Sequence, residues 1–331
     1  MEDRKRVYSA LKPTGVLQLG NYIGALNNMV KMQDEYDCIY TIADMHSLTV
    51  NNVPQELRKR IYDFAALFLA VGLDPEKSIL FIQSHVPAHA ELAWVLNCYT
   101  QFGEARRMTQ FKDKSKKDPE NVNVGLFAYP TLMAADILLY NADYVPIGKD
   151  QKQHLELART IAERFNNRYS PTFTVPEGVF GKKGAKIQNL LDPSSKMGKT
   201  DDNANGVVFL TDDPDTIMRK FKRAVTDSDN VIKFSQDKPG ISNLLTIYSV
   251  MTDVSIAEAE KHFDGFGYAE FKKEVGESVV ERLRPVREKY LQYIDDKSYL
   301  ESVMRQGAEK AERIANKTLA KVYRKIGLVG R

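Results

Sequence analysis

Two lysine side chains lie close together in a polar segment near the middle of the chain. The segment DPSSKMGKTDD, residues 192–202, places Lys196 and Lys199 three positions apart among Ser, Gly, Thr and Asp. It has no apolar period that would hold it as a buried helix, so we predict a loop. Two ammonium groups on a loop that can move could close over a bound anion. The alternative is an ordinary pair of solvated lysines.

A glycine-rich segment follows the first predicted strand. In KPTGVLQLGNYIGAL, residues 12–26, three glycines allow tight turns and close backbone approach just where a helix begins. The free N–H groups at such a helix end can bind a phosphate. The spacing is neither the dinucleotide-binding G-x-G-x-x-G motif nor a Walker A loop. Taken alone, Gly20 and Gly24 could equally be packing glycines in a helix.

An acidic residue stands in the middle of an apolar helical pattern. Asp136 in LMAADILLY is surrounded by Met, Ala, Ile and Leu. A carboxylate in such surroundings is costly unless it is paired, and acids are seldom fully buried. Asp136 is therefore hard to explain by packing, whereas the neighbouring Met133 would be ordinary core.

The histidines and cysteines do not predict a metal site in the protein. His85 and His89 are four positions apart, but Pro87 predicts a strand-to-helix turn there, and no acidic or cysteine residue stands at a zinc spacing. Cys38 and Cys98, the two cysteines, lie in apolar segments, so no disulfide framework is predicted. A reducing cytosol fits this usage best.

The composition indicates a globular protein. With 331 residues, 43% of them apolar, the chain can bury a sizeable core and suggests about two domains. We expect no signal peptide and no membrane span, since no stretch reaches roughly 20 apolar residues. The net charge of +3 is too balanced to indicate nucleic-acid binding by itself. Residues 305–331 carry eight basic and two acidic residues, which fits either a solvated helix face or a phosphate-facing surface.

The elements that would position these residues alternate in type through the first half. Four short β-branched or apolar runs predict strands: RVYSA, DCIYTIAD, SILFIQSH and DYVPIG. Helical patterns between them, such as residues 54–72 beginning at Pro54 and residues 150–169 with Asp150 as N-cap, predict crossover helices and hence a parallel sheet. Ligands in such sheets bind beyond the carboxyl ends of the strands. After about residue 190 the pattern is mostly helical.

The motifs together are more specific than any one of them. The order and spacing of these motifs resemble those in bacterial tryptophanyl-tRNA synthetases, which are class I enzymes. The resemblance covers nearly the whole chain. The motifs are GNYIGAL, HVPAHAELAW, RMTQFKDKS, YPTLMAADILLYNADYVPIGKDQKQHLELAR, DPSSKMGKTDD, RAVTDS and PGISNLL. The resemblance implies an α/β fold with a Rossmann-like catalytic domain over residues 1–195. The lysine loop and a mostly α-helical anticodon-binding domain would follow over residues 196–331, with a last helix that could pack back on the first domain.

The resemblance also implies a reaction. ATP activates L-tryptophan to tryptophanyl-adenylate, and the aminoacyl group passes to tRNA(Trp) with release of AMP and pyrophosphate. An α-carboxyl pKa of about 3.5 means that the nucleophile is already ionised, so positioning and charge stabilisation can carry the first step without a general base. The implied cofactors are ATP and Mg²⁺, and the implied partners are tryptophan, tRNA(Trp) and a second copy of the chain in a cytoplasmic homodimer.

On the nucleotide side, the first signature of the class corresponds to Gln18-Leu19-Gly20-Asn21. The amides of Gln18 and Asn21 can donate to phosphate oxygens, and Gly20 lets adenine approach the backbone. The catalytic residues implied by the resemblance are Gln18, Asn21, Lys114, Lys196 and Lys199. The ATP-binding residues that it implies are Lys12, Pro13, Thr14, Gly20, Asn21, Gly148, Lys149, Asp150, Ile187, Lys196, Met197, Gly198, Lys199 and Thr200.

On the amino-acid side, the family's acceptor for the indole N–H falls on Asp136. A ligand without a donor would leave this carboxylate unsatisfied, and such sites can reject analogues by roughly 10⁴ to 10⁵. The argument excludes phenylalanine but not tyrosine, whose O–H could also donate. The tryptophan-binding residues implied by the resemblance are Tyr8, His46, Tyr129, Met133, Asp136, Val145, Ile147 and Gln151.

Four residues depart from the family's usual pattern: Lys12, Ala43, Met45 and Gly198. We hypothesise a divergent copy of the enzyme with altered sensitivity to tryptophan mimics. Three other functions stay open at this point. They are a tyrosine-specific synthetase, a catalytically silent paralogue that binds RNA through its basic last helix, and a tRNA-independent adenylating enzyme.

Overall fold

The computed structural model describes residues 4–117, 119–179, 186–198 and 203–329. Within these residues five parallel strands form one sheet in the order β3-β2-β1-β4-β5. The order reverses between β1 and β4, and ligands of α/β sheets bind beyond the strand ends at such a switch point. The predicted α/β, Rossmann-like fold is therefore confirmed. The strands are β1 Arg6–Leu11, β2 Asp37–Ile42, β3 Ser78–Ile82, β4 Tyr144–Pro146 and β5 Glu177–Val179.

Sequence patterns located the first four strands, because each carries a short apolar run. β5 has the sequence EGV, with no run to indicate it, and pairs with β4 in the register that places Val145 opposite Gly178. Arg6, at the amino end of β1, contacts the amino end of β2 and the turn that precedes β4. Its Nε donates to Asp37 on β2 at 2.7 Å, and its Nη1 donates to the carbonyl of Tyr140 at 2.8 Å.

Helices make the crossovers between the strands. A π-helical turn, Tyr22–Leu26, separates the first two helices, so the glycine-rich segment continues as one irregular helix over residues 19–32. The helices before β5 are α1 Leu19–Asn21, α2 Asn27–Met32, α3 Pro54–Ala70, α4 Ala88–Asn97, α5 Phe102–Arg106, α6 Thr109–Lys117, α7 Val124–Leu138 and α8 Lys152–Tyr169. Short 3₁₀ helices lie at Met45–Thr49, Gln83–His85, Pro119–Asn121, Lys149–Gln151 and Ala204–Gly206.

The second half of the chain is helical, as predicted. Its helices are α9 Pro214–Lys222, α10 Pro239–Thr252, α11 Ile256–His262, α12 Tyr268–Asp295 and α13 Lys297–Ile326. One hydrophobic core covers a face of the sheet and continues into α9, α10 and α12, while a second core on the other face includes α4, α7, α8 and the C-terminal half of α13. The proposed domain boundary at residues 195/196 stays a prediction.

The last helix returns to the sheet. α13 packs on β3 and α4, with Leu300, Met304 and Ala311 buried along one side. Gly307 lies so close to the strand that an added Cβ would stand 1.8 Å from the carbonyl oxygen of Leu80. A residue without a side chain is therefore required where α13 crosses β3.

None of the helices in the described ranges combines the length and apolar character needed to cross a bilayer.

Candidate active site at the switch point of the sheet

Asp136 lies on α7 and is 1% exposed. Three side chains contact its two oxygens. Gln83 Nε2 lies 2.7 Å and His89 Nδ1 2.6 Å from Oδ1, while His46 Nε2 lies 2.8 Å from Oδ2. Burial by itself would raise the pKa of Asp136, but the hydrogen bonds with His46 and His89 outweigh it and hold the pKa well below its usual range. The site therefore holds a buried, ionised hydrogen-bond acceptor.

Behind Asp136, His89 contacts a second buried ring. Its Nε2 lies 2.8 Å from the hydroxyl of Tyr140, which is fully buried. Tyr8 of β1 stacks on Tyr140, with ring centroids 5.6 Å apart and an interplanar angle of 10°. Burial, and then the charge of Asp136, raise the pKa of Tyr140 well above its usual value, so this hydroxyl keeps its proton. Tyr8, which was predicted to line the tryptophan pocket, thus contacts the acceptor network from the sheet side.

Sequence reasoning missed Gln83, His89 and Tyr140. Gln83 and His89 are 53 and 47 residues from Asp136 along the chain, so no local spacing reveals these contacts. The one available signal was that Asp136 and Tyr140 stand four positions apart, which places them on one helical face.

His46 and Tyr129 lie together at the partly exposed side of the network. His46 is partly buried, and its ring meets that of Tyr129 edge-on at a centroid distance of 6.3 Å. Tyr129 is held in place by its own hydroxyl, which lies 2.6 Å from Nε2 of His154 and donates to Oε1 of Gln110 at 3.1 Å. Burial raises the pKa of Tyr129. His154 is a further contact that the sequence did not indicate.

The residues after β4 bring the two predicted ligand sides together. Val145 is buried, and the side chains of Met133 and Ile147 are partly exposed. Gln151, predicted for the amino acid, donates through Nε2 to Oδ2 of Asp150, predicted for the ATP ribose, at 2.8 Å. A Cβ at Gly148 would stand 2.7 Å from Oδ1 of Asp150, so the glycine leaves room for this carboxylate.

The predicted N-cap of the helix after β4 is wrong by one residue. α8 begins at Lys152 with Gln151 in the capping position, and Asp150 lies in the preceding 3₁₀ helix. The Asp150 carboxylate is exposed and does not cap α8, so N-capping does not account for it.

The first signature contacts the lysine segment. Gln18 is 2% exposed; its Nε2 donates to the carbonyl of Met197 at 2.8 Å, and its Oε1 accepts from the backbone N–H of Gly20. Asn21 closes the helix start by accepting from the N–H of Gln18 at 3.2 Å. Gln18 therefore links the predicted phosphate-binding turn to the segment that carries Lys196.

The lysine segment is anchored on its apolar side. Met197 and Ile187 are each 1% exposed, and the N–H of Met197 donates to the carbonyl of Ile187 at 3.1 Å. Lys196 is exposed and forms an isolated antiparallel bridge with Gln188, and Gly198 is partly exposed. Adenine contact through Ile187 and Met197, whose side chains are covered by protein here, stays a prediction.

Other predicted nucleotide residues follow β1. Lys12 donates through Nζ to Oγ1 of Thr49 at 3.3 Å, Pro13 is buried, and the N–H of Thr14 donates to the carbonyl of Lys12 at 2.9 Å. Lys199 and Thr200 lie outside the described residues, as do the side chains of Lys114 and Lys149. Across the described ranges, no cluster of three or more His, Cys, Asp or Glu side chains could hold a metal ion.

Comparison with known proteins identifies the family. A family profile described as class I tRNA synthetases (W and Y) matches residues 1–284. The tryptophan–tRNA ligase of Clostridium tetani is 54% identical over 330 residues, which is 99% of this chain and 98% of the relative. That of Clostridium perfringens is 52% identical over 332 residues, with both chains fully covered.

Solved structures agree with this match. The tryptophanyl-tRNA synthetase of Mycoplasma pneumoniae superposes with a TM-score of 0.88 at 34% identity, covering 98% of each chain. That of Campylobacter jejuni, complexed with ADP and tryptophan, gives a TM-score of 0.85 at 34% identity and covers 98% of this chain and 100% of the other. Since the profile spans most of the sequence and the relatives match over nearly their full length, the chain belongs to the class I tRNA synthetases of the tryptophan and tyrosine family.

Proposed function

We propose that this protein activates L-tryptophan with ATP and transfers the tryptophanyl group to tRNA(Trp). The observation that carries the proposal is the buried, ionised Asp136, an acceptor suited to an indole N–H, in a chain more than half identical to curated tryptophan–tRNA ligases. The oxygens of Asp136 only accept hydrogen bonds, so a ligand that contacts them directly has to bring a donor. Tryptophan brings one on its ring.

The reaction has two steps. A carboxylate oxygen of tryptophan attacks the α-phosphorus of ATP, the bond to the β-phosphate oxygen breaks, and pyrophosphate leaves. A ribose hydroxyl of the tRNA terminus then attacks the aminoacyl carbonyl, and AMP leaves. The nucleophile of the first step is ionised at neutral pH, so the protein has to position it and stabilise the charge on pyrophosphate.

The residues divide between these tasks. Lys196, Lys199 and Lys114 neutralise the triphosphate, and Gln18 and Asn21 orient the phosphates. The contact between Gln18 and Met197 supports joint movement of the first signature and the lysine segment. The reaction requires the amino and carboxylate groups of tryptophan to lie next to the ATP ribose. The hydrogen bond between Gln151 and Asp150 supports this arrangement. The remaining ATP-side contacts come from Lys12, Pro13, Thr14, Gly20, Gly148, Lys149, Ile187, Met197, Gly198 and Thr200.

The indole ring lies between Met133, Val145 and Ile147, with Tyr8, His46 and Tyr129 completing the pocket and its polar rim. The environment of Asp136 supports tryptophan over phenylalanine, which has no ring donor. Tyrosine also carries a donor, and discrimination against it depends on the depth at which the acceptor lies.

Mg²⁺ accompanies the ATP phosphates, since Mg²⁺ usually keeps several waters and binds through substrate phosphates. The helical second half binds the tRNA anticodon. The exposed basic side chains of α13, which include Arg313, Lys317, Lys321 and Arg324, supply phosphate contacts. The enzyme works in the cytoplasm.

The protein acts as a homodimer. Large apolar side chains within residues 86–140 support this: Trp94 is 72%, Phe102 69% and Val124 81% exposed. Large apolar side chains that are exposed in a single chain can be covered by a second copy. Sedimentation equilibrium of the full chain, with a Trp94→Asp variant that should be monomeric, tests the assembly.

Amino-acid-dependent exchange of pyrophosphate into ATP tests the reaction. We expect exchange with tryptophan and only background exchange with tyrosine, followed by charging of tRNA(Trp). Exchange with tyrosine instead would indicate the tyrosine-specific synthetase. Exchange without charging would indicate a tRNA-independent adenylating enzyme, and tRNA binding without exchange a silent paralogue.

A further inference from the structure

We propose that Gln83, His89 and Tyr140 are positioning residues that set the amino-acid specificity. Gln83 and His89 donate hydrogen bonds to Oδ1 of Asp136, and Tyr140 holds His89 in place. Oδ2 is left as the oxygen that accepts the indole N–H. The inference rests on the proposed function, because it names the groups that make the tryptophan acceptor selective. Its basis is the set of proton positions that the contacts around Asp136 allow.

The orientation of the Gln83 amide is fixed by the backbone. The N–H of Met45 is shared between Oδ1 of Asp44 at 3.0 Å and Oε1 of Gln83 at 3.1 Å, and a backbone N–H is always a donor. The opposite end of the amide is therefore NH₂, and it faces Oδ1 of Asp136 at 2.7 Å. Gln83 is completely buried, so it cannot exchange this contact for water. One donor is thus permanently directed at Oδ1.

The second donor to Oδ1 is His89, and the carboxylate fixes which ring nitrogen donates. Oδ1 of the ionised Asp136 can only accept, so the hydrogen bond of 2.6 Å requires the proton on Nδ1 of His89. In a singly protonated ring Nε2 is then the acceptor, and the Tyr140 hydroxyl, 2.8 Å away, donates to it. The chain of hydrogen bonds from Tyr140 through His89 to Asp136 therefore has one direction.

Oδ1 then has two donors, and Oδ2 faces His46 at 2.8 Å. His46 is the partner with access to the ligand side, since its side chain is 13% exposed whereas that of His89 is 0% exposed. The indole N–H meets Oδ2 either beside His46 or in its place. An analogue without the N–H offers Oδ2 no donor. If its ring also displaces His46, Oδ2 is left unpaired, so the rejection of such an analogue reports on this oxygen.

Tyr140→Phe tests the direction of the chain while it keeps the ring that stacks on Tyr8. Without the hydroxyl, the buried Nε2 of His89 loses its donor, and the ring is no longer held in the orientation in which Nδ1 donates to Asp136. The readout is kcat/KM in pyrophosphate exchange for tryptophan divided by that for 3-benzothienylalanine, in which sulfur replaces the indole N–H. We expect this ratio to fall about tenfold, the effect of one lost hydrogen bond to a charged group, through the tryptophan value alone.

Tyr40→Phe is the matched control. Tyr40 is also fully buried and donates its hydroxyl to a backbone carbonyl, that of Met29 at 2.8 Å, on the other face of the sheet. We expect it to leave the ratio unchanged. If Tyr140→Phe lowers both substrates equally, or leaves the ratio at the wild-type value, the proposal is overturned. Absence of tryptophan exchange in the wild-type enzyme would instead overturn the proposed function.

Two variants of His89 keep the test decisive if Tyr140→Phe does not fold. Both remove the partner of the Tyr140 hydroxyl, but His89→Asn keeps an N–H donor where Nδ1 stood and His89→Leu does not. We expect the asparagine variant to retain most of the discrimination and the leucine variant to lose it. Equal ratios in the two variants would overturn the proposal.

Discussion

Replacing Asp136 by asparagine should invert the polarity of the pocket rather than only remove a charge. Gln83 and His89 both donate towards the position of Oδ1, so the asparagine carbonyl oxygen is held there. Its NH₂ group then takes the place of Oδ2, next to His46. An indole N–H that enters the pocket meets a donor instead of an acceptor.

The cost follows from two contributions. The hydrogen bond from the indole to a charged acceptor, worth about 1.5–3 kcal/mol, is lost. A buried N–H is left without a partner, which costs about 1–3 kcal/mol more. The NH₂ group itself can donate to His46 in its other tautomer, so no further penalty arises there. Together these effects correspond to a loss of roughly 10² to 10⁴ in kcat/KM for tryptophan.

Pyrophosphate exchange at saturating ATP measures this loss. The background exchange with tyrosine should not fall in parallel, because a phenol oxygen can accept a hydrogen bond from the new NH₂ group. Asp143→Asn is the control: the Asp143 carboxylate accepts hydrogen bonds from Lys5 and from the N–H of Arg6 at the amino ends of β1 and β4, and we expect normal exchange. A loss for tryptophan of less than about tenfold in Asp136→Asn would refute the assignment of Oδ2 as the acceptor.

Three further predictions concern stability and are checked by urea unfolding. Gly307→Ala should destabilise the protein by about 3 kcal/mol, because its Cβ would stand 1.8 Å from a β3 carbonyl oxygen. Gly103→Ala is the control: a Cβ there meets nothing within 4 Å, so stability should change by less than about 1 kcal/mol. Equal stabilities of the two variants would contradict the close packing of α13 on β3. Lys220→Met should cost about 3 kcal/mol, since it leaves Asp212, now bonded at 2.6 Å to a Lys220 that is 4% exposed, without its cation; a neutral or stabilising effect would contradict this. The depressed pKa of Asp136 contributes stability at pH values above the unfolded-state pKa of about 3.9, and this contribution is lost as the pH falls through the pKa of the folded state. The wild type should therefore lose stability below about pH 4 more steeply than Asp136→Asn. Parallel pH profiles of the two proteins would contradict this prediction.

The fold was largely predictable because its signals are local. An apolar run or a helical period can be recognised within a short segment of sequence. For this reason the sequence predicted β1 to β4, α3 and the buried side of α13. β5 was missed since three residues without an apolar run leave no period to detect. The π-helical turn at Tyr22–Leu26 was missed as well, because it differs from an α-helix in backbone hydrogen bonds and not in composition.

The site was predictable only in part, and for a physical reason. Asp136 was recognisable, since an acid in an apolar helix is costly unless something compensates it. The compensating groups, Gln83 and His89, follow β3 in the chain and meet α7 only through packing. Sequence patterns indicate which side chains are buried but not which buried side chains meet, so the buried acid was recognised and its partners were not.

The position of β3 at the edge of the sheet has a consequence for biosynthesis. An edge strand exposes N–H and C=O groups that can pair with another chain. α13, which packs against this strand, begins more than 200 residues after β3 ends, so at translation rates of about 5–20 residues per second the nascent protein carries β3 without it for roughly 10 to 40 s. During that interval the unfinished chain depends on the ribosome and chaperones for protection, and a stop codon that removes α13 should yield aggregates rather than a shorter enzyme.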